Sequence, residues 1–142
     1  MPITKSNHCV YDTHYHIVFP VKYRKALLSQ AVVKSITVTL RKIEMRYDLA
    51  IEQMGDDKNH IHILISFHPK YSIGEIVRIL KSLTARELFK DLPDLKKELW
   101  GGEFWTDGYY ASTVGTGGNW AVVERYVKNQ GINLKDMQLT LW

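Results

Sequence analysis

The 142-residue sequence predicts an α+β domain with one antiparallel β-sheet and helices packed on one face of that sheet. Two periodicities carry this prediction. Alternation of apolar and polar residues, typical of strands with one buried face, occurs within residues 11–23, 48–54 and 60–67, and the aromatic and β-branched stretch 103–114 is a further strand candidate. Helical spacing of apolar residues occurs over 29–46 and 72–90. The order β-α-β-β-α-β is that of the split β-α-β, or ferredoxin-like, arrangement.

The first half of the chain supplies the first strand, the first helix and a hairpin. Pro20 lacks a backbone donor, so the first strand is expected to end, bulge or bend there. Continuous alternation in the second strand places Leu49, Ile51 and Gln53 on one face. The polar residues 55–59 predict a tight turn, which makes the second and third strands a hairpin.

The second half begins with a strong helix signal. Ser72 and Glu75 have the spacing of a capping box at the start of the second long helix. Pro93 is suited to the start of a short helix that ends near Leu99. The aromatic and β-branched stretch after Gly101-Gly102 predicts a last strand or a hairpin around Asp107-Gly108.

Composition sets limits on the class of protein. The formal net charge is +4 and the isoelectric point is near 9.1, which is compatible with a polyanionic partner. Cys9 is the single cysteine, so an internal disulfide is excluded and a reducing compartment, the cytoplasm, is the expected location. No apolar run reaches the length of a membrane span, and we expect one domain over 1–142.

Two His-x-His pairs are candidates for a metal site. His60 and His62 project to one face of the third strand, and His14 and His16 do the same on the first. Neutral imidazole is a ligand for Mn, Zn or Fe, and an oxygen ligand would be needed to complete such a site. Spacing alone does not choose between the two pairs, and either can be a pair of polar residues on a strand face.

The last predicted helix spans 120–130 and is preceded by the glycine-rich segment 115–118. Tyr126 and Gln130 are four residues apart, so they share one helical face. Packing and solvation explain both residues as well as chemistry does. A functional interpretation makes Tyr126 a nucleophile and Gln130 the missing oxygen ligand.

Basic residues are candidates for contacts to a nucleic-acid backbone. These residues are Lys22, Arg24, Arg78, Lys81 and Arg86. Aromatic residues, among them Tyr23, Trp105, Tyr109 and Tyr110, are candidates for base stacking, although a place in the core explains most of them.

Several segments together resemble the single-tyrosine HUH transposases, the TnpA-type enzymes of small bacterial and archaeal insertion sequences. The histidine pair lies in Asn59-His60-Ile61-His62, and the C-terminal motif is Tyr126-Val127-Lys128-Asn129-Gln130. Further matching segments are 16–24, 81–86, 100–105 and 108–115. The resemblance covers nearly the whole chain in order and spacing.

This resemblance implies that His60, His62 and Gln130 bind Mg²⁺ or Mn²⁺ and that Tyr126 is the nucleophile. It implies a homodimer that cleaves and rejoins single-stranded DNA hairpins at transposon ends through a 5′-phosphotyrosine, without a nucleotide cofactor. It also implies that the tyrosine helix, about 119–130, is mobile about a hinge at 115–118. The competing hypotheses are a non-catalytic single-stranded nucleic-acid-binding module and a metal-dependent nuclease that uses water.

Overall fold

A computed structural model describes residues 3–115 of the chain, and its architecture is α+β, as predicted. Tyr126, Gln130 and the predicted helix over 120–130 lie outside the described residues, as does 116–118 of the predicted hinge. A small antiparallel hairpin, β1 (Thr4–Ser6) and β2 (Cys9–Tyr11), precedes the main sheet. Each of its strands has three residues, too few for an alternation signal, so the sequence pattern does not predict them.

Four strands form the main sheet. They are β3 (Tyr15–Pro20), β4 (Leu49–Asp56), β5 (His60–Phe67) and β6 (Tyr110–Thr113). Their order across the sheet is β4-β5-β3-β6, and every neighbouring pair is antiparallel. The predicted β4–β5 hairpin is therefore present, and β5 is the direct neighbour of β3 in the middle of the sheet.

Two long helices and one short helix connect the strands: α1 (Gln30–Arg46), α2 (Ile73–Asp91) and α3 (Leu95–Glu98). The predicted capping box is present, since Ser72 Oγ accepts from the Glu75 amide and Glu75 Oε1 accepts from the Ser72 amide, both at 3.0 Å. A single 3₁₀ turn, Lys22–Arg24, follows β3 directly after Pro20 and Val21.

The hydrophobic core lies between both long helices and one face of the sheet. That face carries Ile17, Phe19, Ile61, Ile63, Ile65 and Phe67, and the helices contribute Val32, Ile36, Leu40, Ile76, Leu80 and Leu88. Each fully buried side chain of this kind contributes about 1.5–3 kcal/mol to stability. All eight residues of β5 are buried, so the histidine face of this strand is also removed from solvent.

A β-bulge at Glu52 corrects the predicted faces of β4. Ile51 pairs with Ile65 but Gln53 pairs with Leu64, so Glu52 is the extra residue. The inserted residue shifts the alternation by one position. Gln53 therefore leaves the core face and Met54 packs against the core.

The hairpin predicted around Asp107-Gly108 is absent from the described residues. The Thr106 amide donates to Pro20 O at 3.1 Å, and Val21 forms an isolated antiparallel bridge with Trp105. This segment thus binds the end of β3 rather than folding on itself, and only Tyr110–Thr113 forms a strand. None of the described helices is long and apolar enough to cross a bilayer.

Candidate metal centre

The β5 strand places His60 and His62 side by side on the sheet face opposite the helices. Their ring centroids are 4.7 Å apart and their planes meet at 71°. His62 is opposite Val18 of β3 and Gly55 of β4 in the strand register, so the β4 neighbour presents no side chain to that face. The side chains are almost fully buried, with relative exposures of 1% for His60 and 2% for His62.

Hydrogen bonds engage the Nδ1 atom of each ring. His60 Nδ1 lies 2.8 Å from Asn59 Oδ1, and His62 Nδ1 lies 3.1 Å from His16 Nε2. Within residues 3–115 no hydrogen bond engages the Nε2 atom of either ring. The pair therefore presents two Nε2 atoms from adjacent positions on one strand face.

Burial keeps these imidazoles neutral. Burial is the main cause that lowers the pKa of His62 to about 3, and the neighbouring His60 and His16 contribute to the same shift. Burial lowers the pKa of His16 to about 4. Burial also lowers the pKa of His60, against the opposing effect of Asp57 and Asp56. Neutral imidazole is the form that binds a metal ion, so the donor set fits a divalent cation at neutral pH.

The rival pair, His14 and His16, is used differently. His14 Nε2 lies 2.7 Å from Asp12 Oδ1, and His14 Nδ1 lies 2.7 Å from Glu52 Oε1. Carboxylate oxygens thus engage both ring nitrogens of His14, so neither nitrogen is open to a metal. The β4 bulge at Glu52 brings the second carboxylate to this ring. The geometry leaves His60 and His62 as the pair suited to a metal.

Two imidazoles do not complete a metal site. No cluster of three or more His, Cys, Asp or Glu side chains that could hold a metal occurs in the described part of the chain. A further ligand would have to be a side chain other than His, Cys, Asp or Glu, or a residue outside 3–115. The predicted ligand Gln130 and the predicted nucleophile Tyr126 lie outside the described residues, so their distances to the histidines are not part of the structure.

The five predicted DNA-contact residues have different environments. Arg78 and Arg86 are exposed on α2, and Arg24 is exposed just after β3. Lys22 Nζ donates to Glu103 Oε2 at 3.0 Å. Lys81 is half-buried, and its ammonium donates to Thr106 O and Gly108 O at 2.7 Å each.

The aromatic residues considered for base stacking include both buried and exposed side chains. Trp105 is 5% exposed and its Nε1 donates to Thr84 Oγ1 at 2.9 Å, so it is a core residue. Tyr23 is 54% exposed and Tyr109 is 37% exposed, which leaves their rings accessible to a partner. A groove of about 540 Å³ beside Tyr109 is also lined by Arg78 and Lys81.

Two contacts at this centre are not evident from the sequence. Asn59 lies in a predicted turn and His16 in the rival pair, yet each hydrogen-bonds one ring of the His60/His62 pair. The antiparallel register reveals the second contact. His16 pairs with Leu64, which places it on the diagonal from His62, two residues away on the same face.

Comparison with known proteins assigns the chain to a family. Residues 9–130 match the family model described as "Transposase IS200 like". The ISDra2 transposase TnpA of Deinococcus radiodurans is 32% identical over 130 residues, which cover 92% of each chain. The transposase of insertion sequence IS200 from Salmonella typhimurium is 32% identical over 123 residues, covering 87% of this chain and 80% of the relative.

Solved structures agree with this assignment. A crystal structure from Deinococcus radiodurans, provisionally named a transposase, superposes with a TM-score of 0.72 at 29% identity, covering 92% of this chain and 99% of that one. A REP-associated tyrosine transposase bound to a REP hairpin gives a TM-score of 0.61 at 9% identity, covering 81% of this chain and 64% of that one, and it supports the fold alone. The chain therefore belongs to the IS200-like transposase family.

Proposed function

We propose that this transposase cleaves and rejoins single-stranded DNA at transposon ends through a covalent 5′-phosphotyrosine intermediate, with the help of Mg²⁺ or Mn²⁺. The observation that carries the metal part of the proposal is the buried His60/His62 pair, with both Nδ1 atoms hydrogen-bonded. Family membership carries the DNA part. The strand order β4-β5-β3-β6 supports a ferredoxin-like fold, to which the family resemblance adds a C-terminal tyrosine helix.

In the proposed reaction, the Tyr126 phenol is the nucleophile, and His60, His62 and Gln130 would hold the metal. When bound, the cation would supply Lewis-acid stabilisation of the charge that develops on the scissile phosphate. The Tyr126 oxygen forms a bond to phosphorus while the bond from phosphorus to the 3′-oxygen breaks. The phenolic proton goes to solvent or a base, and the leaving 3′-oxygen takes up a proton.

The covalent bond makes rejoining possible. A phosphotyrosine is a phosphodiester, so the energy of the broken DNA bond is retained in it. A second DNA 3′-hydroxyl reverses the step and restores a continuous strand without ATP. A water-dependent nuclease would release a free 5′-phosphate instead, and strands could not be rejoined by reversal.

The proposed substrate is a single-stranded DNA hairpin, and the proposed assembly is a homodimer. The REP-associated tyrosine transposase that shares this fold is bound to a REP hairpin, and the proposal extends a hairpin substrate to this chain. Arg78 and Arg86 are exposed on α2, and Arg78 lines the same groove as Tyr109. Cations and accessible aromatic rings are the groups that bind single strands.

The test uses single strands from the two DNA flanks of the gene, labelled at either end and incubated with the full chain and Mn²⁺. The proposal predicts that a 3′ label migrates with the denatured protein, whereas a 5′ label appears on a shortened free strand. Tyr126→Phe removes both products. Cleavage that persists in Tyr126→Phe supports the nuclease hypothesis, and binding without cleavage in any metal supports the non-catalytic module; either result contradicts the proposal.

A further inference from the structure

We propose that His16 and Asn59 are positioning residues that hydrogen-bond the Nδ1 atoms of His62 and His60, which leaves each Nε2 atom to present its lone pair to the metal. This inference rests on the proposed metal-dependent function. Neither residue would touch the metal. His16 acts through the ring of His62, and Asn59 acts through the ring of His60.

The Asn59–His60 contact favours one proton position on the His60 ring. With Asn59 Oδ1 as the acceptor, His60 Nδ1, at 2.8 Å, carries the proton. A neutral imidazole has one N–H, which leaves His60 Nε2 with the lone pair. The Asn59 backbone is itself held, because its carbonyl accepts from the Val21 amide at 2.8 Å. The contact thus ties the His60 ring to the end of β3.

The His16–His62 contact has the geometry of an in-plane hydrogen bond. The ring planes differ by only 14°, and the centroids are 5.3 Å apart. That separation is about the 3.1 Å N···N distance plus the two ring radii, so the rings meet edge to edge. Lone pairs and N–H bonds of imidazole lie in the ring plane, and the two nitrogens therefore point at one another.

Two proton arrangements satisfy this hydrogen bond, and only one allows metal binding. When His16 donates from Nε2, the single proton of His62 must be on Nε2, which closes that atom to a metal. When His62 donates from Nδ1, His62 Nε2 has the lone pair and His16 holds its own proton on Nδ1. Metal binding therefore requires His16 to accept.

The sheet holds His16 where it can accept. His16 lies within β3, which is hydrogen-bonded to β5 on one side and β6 on the other. His16 is 5% exposed, and its ring makes a T-shaped contact with the ring of Tyr110 in β6, with centroids 6.0 Å apart. Outer partners of this kind orient ligating histidines, and their loss costs about 10–100-fold in metal affinity.

The test measures Mn²⁺ affinity of the full chain by titration calorimetry without DNA. His16→Phe keeps a ring but removes the acceptor, and Asn59→Ala removes the amide oxygen; we expect each to weaken binding about 10–100-fold. His16→Gln and Asn59→Asp keep an acceptor, and we expect them to stay near wild type. The matched control is His8→Asn, which removes an exposed histidine in the β1–β2 turn at a positive φ that Asn tolerates.

Wild-type affinity in folded His16→Phe and Asn59→Ala would overturn the inference, and so would equal loss in the acceptor-keeping variants. Retained affinity in His60→Ala would instead contradict the metal site of the proposed function. Long-range ¹H–¹⁵N spectra of the wild-type protein with Zn²⁺ need no variant. They should show His60 and His62 protonated at Nδ1, and a proton on Nε2 of either ring would refute the proposal.

Discussion

His16 Nε2 lies 3.1 Å from His62 Nδ1, across the antiparallel pair of β3 and β5. Because of this contact, the two His-x-His motifs are no longer equivalent candidates for a metal site. One motif, on β5, offers two Nε2 atoms. The other contributes His16 as a hydrogen-bond partner and His14 as a ring held between Asp12 and Glu52.

The first prediction concerns the two inner histidines. His62→Ala and His60→Ala should each abolish metal-dependent DNA cleavage, because one imidazole cannot hold the cation in place of two. Binding of labelled single strands in EDTA should change little, since the metal does not contribute under that condition. Loss of DNA binding together with loss of the folded circular dichroism spectrum would show that the pair is structural.

A second prediction concerns the buried hydrogen bond from Trp105 to Thr84. Thr84→Val is close in shape but leaves the indole N–H, which is 2.9 Å from Thr84 Oγ1, without a partner. The free energy of unfolding in urea should fall by about 1–3 kcal/mol. The exposed Thr113→Val at the end of β6 is the matched control and should change stability by less than about 0.5 kcal/mol. Equal effects would mean that the hydrogen bond contributes nothing.

A third prediction concerns the pH dependence of stability through Lys81. Burial lowers the pKa of Lys81 from its ordinary 10.5 to about 8. Between these values the unfolded chain retains the proton and the folded protein has lost it, so the unfolded state binds more protons. The free energy of unfolding therefore rises with pH in this window through Lys81.

Lys81→Met removes this titration while it keeps an unbranched side chain. The free energy of unfolding of each protein is measured in urea between pH 8 and 10.5. The value for wild type minus the value for Lys81→Met should increase as the pH rises. Other titrating groups are common to both proteins and cancel in the difference. A constant difference over that range would mean that the folded ammonium keeps its ordinary pKa, stabilised by Thr106 O and Gly108 O.

Strong periodic segments were predictable and local irregularities were not. The alternation of β5 and the Ser72/Glu75 capping box follow from local preference, and the structure has both. The bulge at Glu52 does not, because one inserted residue leaves the composition of β4 unchanged while it shifts every later side chain to the other face.

The sequence pattern predicts both candidate histidine pairs but does not choose between them. Strand periodicity places His60 and His62 on one face, but it also places His14 and His16 on one face. The choice between them depends on the folded contacts, because the ring of His14 is hydrogen-bonded both to Glu52 of β4 and to the nearby Asp12. Lys81 illustrates the same limit: its sequence neighbourhood is a polar helix face, whereas the segment 106–108 covers its ammonium.

The central claim is that Tyr126 becomes covalently bound to DNA, and peptide mass spectrometry tests it most directly. Trypsin cuts after Arg125 and Lys128, so Tyr126 is the single tyrosine of the peptide 126–128. After reaction with a single strand and nuclease digestion, this peptide should carry a nucleotide through its 5′-phosphate. A nucleotide on any other residue, or cleaved DNA with a free 5′-phosphate and an unmodified 126–128 peptide, would contradict the account.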